Sequence, residues 1–193
     1  YAPDGTPKAI PPHNIPMAQL GCFILLFGWF GFNAASTFAA TDVQFATVAT
    51  NTAIAGAVGA VVGMFYIQKK SGKPDPGMMV NGMLAGLVAI TAPCAFVSPW
   101  AAVVIGAVAA ILAIEAVYFI DRRGIDDPVG AIAVHGVCGT FGVLAVGLFA
   151  NGVYGAGWNG AVDDAGEAIA VKGLFYGEAG QLGAQALGVV VIW

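Results

Sequence analysis

The sequence predicts an all-α polytopic membrane protein, on three observations. Of its 193 residues, 59% are hydrophobic and only 9% are charged, against about 25% charged in an ordinary soluble domain. So few charges cannot cover a water-facing surface, and the lipid bilayer is the expected surrounding for most of the chain. The apolar residues also gather into long runs, each close to the roughly 20 residues that a spanning helix needs. The seven basic and eleven acidic residues fall mostly between those runs.

Five complete runs lie at about 17–40, 43–68, 77–96, 98–120 and 129–150. A sixth begins near 180 and stops at Trp193. As helix it reaches roughly 21 Å, short of the roughly 30 Å hydrocarbon core, so this span is expected to be truncated. Tyr1 opens no charged segment with a short apolar core, so no signal peptide is expected. Both ends read as those of a fragment of a longer protein. The boundaries have local causes. Pro11, Pro12 and Pro16 precede the first run, and Thr41 or Asp42 can cap the second. The polar stretch Lys69–Pro76 follows the second. Ser98-Pro99 and Asp127-Pro128 each place a capping side chain before a proline suited to the first helical position.

Orientation follows from the basic residues. Counting spans, Lys8, Lys69, Lys70, Lys73, Arg122 and Arg123 share one side, and Lys172 stands alone on the other. Positive charge marks the cytoplasmic side. Residues 1–16 are then a cytoplasmic loop, and 151–179, with Asp163, Asp164, Glu167 and Glu178, an extracytoplasmic one.

Several function classes drop out. There is no basic stripe, so nucleic acid is not an expected partner. Cys22, Cys94 and Cys138 are scattered through apolar runs, which fits neither a disulfide framework nor a metal site. No cofactor is expected. The Gly59/Gly63 and Gly82/Gly86 pairs have the small-xxx-small spacing that lets helix backbones approach. They speak of packing and not of a substrate. No internal repeat is visible. A chain of five complete spans is the kind of unit that an inverted repeat elsewhere would mirror, with the substrate path between the two.

His135 is the most informative residue. It lies about four residues from the middle of the fifth run, on the order of 6 Å along the axis. Ionisable groups at such depth usually face a bundle interior or a pathway. A neutral imidazole offers one donor and one acceptor, and it can relay a proton or bind a small polar solute. The other reading is a structural histidine bonded to a neighbouring helix. Cys138, Gly139 and Gly142 follow at i+3, i+4 and i+7, which in an α-helix is one side. A cysteine–histidine catalytic pair is set aside, because no oxyanion donor or third group accompanies it; the chain is not expected to be an enzyme.

In the first run, Trp29, Phe32 and Ser36 share a helical face near its outer end. A ring face and an acceptor oxygen suit an ammonium-like cation. By itself this pattern fits an interfacial aromatic belt better. Asp127 reads as the cap of the His135 helix, near the cytoplasmic mouth. Glu115 is expected to pair with Arg122 or Arg123, and His13 to sit in an interfacial loop.

Two segments together resemble the Amt/Rh ammonium transporter family, in its Amt branch. Pro12-His13-Asn14-Ile15-Pro16-Met17 followed by Gly28-Trp29-Phe30-Gly31-Phe32-Asn33 is similar to the family's sixth helix. Asp126-Asp127-Pro128 followed by Val134-His135-Gly136-Val137-Cys138-Gly139 is similar to its tenth. The resemblance covers essentially the whole chain. It implies a fold of eleven helices in which the first five and the next five form inverted repeats. This chain would supply helices six to ten and the start of eleven. It implies ammonium and ammonia as substrate and a homotrimer with one pore per subunit. It further implies that His135 is one of the twin pore histidines and Phe32 part of the outer gate. Ser36 would belong to the ammonium-recruiting site, Trp29 would adjoin the pore, and Asp127 would stand near the inner vestibule. The other histidine, the other gate phenylalanine and the outer-site tryptophan would lie in the missing half, and the cytoplasmic tail after the eleventh helix, which binds regulators in many members, would be missing too. The competing reading is an ammonium sensor of the same fold, joined to a signalling domain. A conductor of neutral gas of the Rh type is a third.

Overall fold

The computed structural model describes residues 12–193, so Lys8, Pro11 and most of the expected cytoplasmic loop lie outside the described residues. Six α-helices follow in order: α1 (Ile15–Asn33), α2 (Val43–Ser71), α3 (Pro76–Thr91), α4 (Pro99–Arg122), α5 (Cys138–Phe149) and α6 (Gly180–Ile192). A short 3-10 segment, Ala34–Thr37, extends α1, and a π-helical segment, Ile132–Val137, leads into α5. Among the described residues β-structure is limited to two isolated bridges, Asn151 with Lys172 and Val162 with Ala168. Four helical stretches, Ile15–Thr37, Val43–Ser71, Pro99–Arg122 and Ile132–Phe149, are long and apolar enough to cross a membrane.

The helix starts show the expected chemistry with two departures, at Ser98 and at Pro128. Pro128 lies in a turn and not at the first helical position, so that the fifth run winds as helix only from about Ile132. Asp42 accepts from the Gln44 N–H at 2.9 Å, and Asp75 accepts from Gly77 and Met78. Asn14 caps α1 through the Met17 N–H, with Pro16 just inside. Pro99 opens α4, but Ser98 makes no capping bond, and its hydroxyl oxygen is buried without a partner. Gly72 ends α2 with φ +75°, a conformation that disfavours any Cβ.

The core is the α2–α3–α4 sandwich, and the glycine pairs build it. A Cβ on Gly82 would stand 2.5 Å from the Gly59 carbonyl oxygen and 3.2 Å from Gly63 Cα. One on Gly106 of α4 would stand 2.5 Å from the Ala55 carbonyl oxygen. The three backbones touch wherever these residues cross, and Ala85, Ala89, Ala101, Ala102, Ala109 and Ala113 continue the small-residue seam with no exposed surface.

The third expected span ends early. α3 stops at Thr91, five residues before 96, because Pro93 supplies no N–H to continue the ladder. The turn that follows is buried, so its carbonyls need partners. Asn51 of α2 donates to Cys94 O at 2.9 Å and to Val97 O at 2.8 Å, while the Asn151 N–H donates to Phe96 O at 3.0 Å. Irregular backbone at membrane depth is tolerated when protein groups satisfy it in this way.

Polar contacts also put the helix ends in register. Lys70, near the end of α2, bonds Glu115 of α4, which also accepts from the Tyr66 hydroxyl. The Lys70 ammonium lies 4.4 Å from the Tyr118 ring centre. This corrects the expectation that Glu115 pairs with an arginine. Arg122 instead donates to Tyr118 O and Arg123 stacks on Phe119. Gln19 of α1 donates to Pro76 O at the start of α3. The start of α1, the end of α2, the start of α3 and the end of α4 thus share one end of the bundle.

Candidate functional site

At the opposite end, two aromatic rings and a hydroxyl converge. Trp29 meets Phe32 edge-on, with centroids 6.1 Å apart and planes at 85°. The indole N–H of Trp29 donates to Thr91 Oγ1 at 2.9 Å, which ties α1 to the last turn of α3. Beyond Asn33 the backbone tightens into the 3-10 segment, where the Ser36 hydroxyl donates to Phe32 O at 2.7 Å. Its proton is therefore committed inward, and its lone pairs are left to accept. Phe32 and Ser36 line a cavity of about 210 Å³ together with Asn33, Thr91, Phe96 and Trp158. Trp29 braces Phe32 from behind and is not part of the lining.

Four of those lining residues escaped the sequence reading. Asn33 ends the aromatic segment and is 4% exposed, with its amide donating to Thr52 Oγ1 at 3.1 Å. Thr91 and Phe96 belong to the broken end of α3, and Trp158 comes from the long loop, stacked at 5.8 Å on Phe96. Nothing in their spacing joins them to residue 32. The only local signal was the position of Asn33 within Gly28–Asn33.

His135 occupies the π-helical segment. The Cys138 N–H reaches back to Ala133 O, a spacing of five residues. Such bulges are rare and occur often at functional sites. They also re-aim side chains, which corrects one expectation. Cys138 is fully buried with its thiol donating to Ala109 O, and Gly142 packs on Ala89, whereas the His135 side is exposed. His135 shares its groove, about 200 Å³, with Gly136, Gly139, Thr140, Val189 and Trp193. The α-helical spacing rule had grouped His135 with Cys138, Gly139 and Gly142; Gly139 stays beside it in the groove, and the wider π-helical turn separates Cys138 and Gly142.

Asp127 is 9% exposed. Its Oδ2 accepts from the Ile132 N–H at 3.0 Å and from the Ala133 N–H at 3.2 Å. The carboxylate caps the start of the segment that carries His135. The structure therefore brings Phe32 and Ser36 into one cavity, backs them with Trp29, and leaves His135 on a separate helical segment, with Asp127 in the turn before it. Among the described residues, no group of three or more histidines, cysteines or acids could hold a metal ion.

All-helical, with helices long and apolar enough to cross a membrane and a cavity at one end lined by aromatic and hydroxyl groups, the chain has the build of a polytopic membrane protein. The profile of the Ammonium Transporter Family matches residues 2–193, and the chain belongs to that family. Ammonium transporter Amt2 of Archaeoglobus fulgidus is 49% identical over 191 residues, covering 99% of this chain and 39% of that protein. The ammonium transporter of Bacillus subtilis is 35% identical, covering 98% and 44%. Among solved structures, one titled a sensor Amt protein superposes with a TM-score of 0.82 at 42% identity, over 99% of this chain and 43% of that one. Candida albicans Mep2 superposes with a TM-score of 0.85 at 32% identity, over 98% and 40%. The chain thus spans about two fifths of the length of the relatives it matches.

Proposed function

We propose that this chain is the second structural half of an ammonium transporter of the cell membrane. It would supply helices six to ten and the start of eleven of an eleven-helix fold built from inverted repeats. The cavity shared by Phe32 and Ser36 carries the proposal. An aromatic ring face attracts a cation, and a hydroxyl oxygen with free lone pairs accepts its N–H bonds. Ammonium recruited there meets an apolar path. A bare charge at the bilayer centre costs several kcal/mol, so the ion gives up its proton to the histidine pair and crosses as neutral ammonia. In this scheme Phe32 gates the entrance and Trp29 sets its orientation. His135, paired with a second histidine from the rest of the protein, bonds the passing solute and returns the proton. Asp127 holds the inner mouth. The full assembly is a homotrimer in the plasma membrane, with residues 1–16 inside and 151–179 outside, and a cytoplasmic regulator or fused signalling domain as a further partner.

Both curated relatives described above are named transporters, which supports transport over sensing. The sensor reading finds its support in a matched structure titled a sensor Amt protein. An ammonium-jump current recorded on the full-length protein in a supported bilayer separates them. A saturable current in the wild type, lost or altered in His135→Ala, is expected. Ammonium binding without current in a folded protein refutes transport. An unchanged current and unchanged selectivity over potassium in His135→Ala refute the role given to the histidine.

A further inference from the structure

Two residues to which nothing above assigns a part line the groove that holds His135. The Trp193 indole N–H donates to Thr140 Oγ1 at 3.0 Å. The Thr140 hydroxyl in turn donates to Gly136 O at 2.8 Å. Gly136 follows His135, and a Cβ there would stand 3.3 Å from the tip of the Trp193 ring, so the glycine admits the indole. A hydrogen-bonded relay thus runs from α6 to the peptide beside the histidine.

That peptide lies in the π-helical segment, where the backbone register decides which way His135 points. Returning one residue to α-helical register would turn the imidazole by roughly 100° about the axis, the angle between successive residues. The start of the segment is held by Asp127, through the Ile132 and Ala133 N–H groups. Its end is anchored by the Cys138 thiol on Ala109 O of α4 and, on the groove side, by Thr140. A helical threonine that only bonds its own i−4 carbonyl is neutral or slightly destabilising. An indole N–H given to the same oxygen fixes the hydroxyl's direction and turns a local bond into a link between helices.

We propose that Thr140 and Trp193 are positioning residues for His135. They lock the π-helical register so that the imidazole keeps its place along the path. This rests on the transport reading given above. It extends that reading to two residues that touch no solute in the scheme.

The test uses the full-length protein reconstituted in liposomes. It reads the ratio of ammonium to potassium currents and the division of any loss between KM and maximal current. Thr140→Val removes the hydroxyl at constant shape, Trp193→Phe removes the N–H and keeps a ring, and Thr140→Ser restores the relay. Loss of one hydrogen bond converts to roughly two- to tenfold. The current ratio should fall by that factor in Thr140→Val and in Trp193→Phe, no further in the pair together, and not in Thr140→Ser. Added to His135→Asn, neither change should have any further effect. Thr140→Val and Trp193→Phe that lower only maximal current, with KM and current ratio unmoved, would overturn the proposal. If Thr140→Val fails to assemble, Trp193→Phe alone decides in the same terms. A normal current in His135→Asn sinks the transport role of the histidine and this inference with it. A lost current there, beside an unmoved Thr140→Val and Trp193→Phe, sinks this inference alone.

Discussion

Replacing Gly82 by alanine puts a methyl carbon 2.5 Å from the Gly59 carbonyl oxygen and 3.2 Å from Gly63 Cα. A carbon and a carbonyl oxygen settle no closer than about 3.3 Å, so α2 and α3 must part by roughly 0.8 Å at this crossing. A gap of that size forfeits about a quarter to a half of each dispersion contact along the seam. Overpacking of this kind costs about 1–3 kcal/mol, and the gain in helix propensity on replacing glycine returns about 1 kcal/mol. The net loss expected for Gly82→Ala is therefore about 0–2 kcal/mol. Gly56→Ala is the control on the facing helix. Its new methyl would meet Leu87 Cδ2 at 2.8 Å and Cγ at 3.1 Å, atoms of a side chain and not of the backbone. Its net effect should stay within about 1 kcal/mol of zero, since propensity offsets the repacking. Thermal unfolding of the full-length protein in detergent should show a lower midpoint for Gly82→Ala than for Gly56→Ala. Equal midpoints, or the reverse order, would refute the claim that backbone contact at the glycine seam holds the two helices together.

Three further outcomes follow from the polar contacts. Asn51→Leu leaves the Cys94 and Val97 carbonyls buried without their donors. At about 1–3 kcal/mol for each unsatisfied group, unfolding measurements should show one of the largest single losses in the chain, and a wild-type midpoint would show the turn to be held by something else. Asp127→Ala removes the cap of the π-helical segment and should cost about 1 kcal/mol, whereas Asp127→Asn, which keeps an acceptor oxygen, should cost less. Equal stability of the two variants would count against the cap. The Lys70–Glu115 pair is more than a third exposed on average, so a double-mutant cycle should return only about 0.2–1 kcal/mol and shrink with added salt. A coupling that is larger and indifferent to salt would mean that the pair is dry.

The sequence by itself determined the membrane class and the approximate spans, because lipid tolerates almost no unpaired charge or backbone and this forces long apolar runs. The helix starts at Asp42 and Pro99 were equally legible, since capping and proline geometry act over a few residues. The family resemblance was legible too, in Gly28–Asn33 and Val134–Gly139, two short segments that had to occur together. The partners of Glu115 were not, because Lys70 lies 45 residues away and only the crossing of α2 and α4 brings it near. The cavity at Phe32 drew Thr91, Phe96 and Trp158 from a broken helix end and a distant loop. Tertiary structure alone decided where His135 points. A spacing rule drawn from the α-helix put Cys138 beside it, and one extra residue in the turn sent the thiol into the core and left the imidazole in a groove with Thr140 and Trp193. Periodicity is a property of the local backbone, and whether that backbone winds as α or π is settled by what packs and bonds against it.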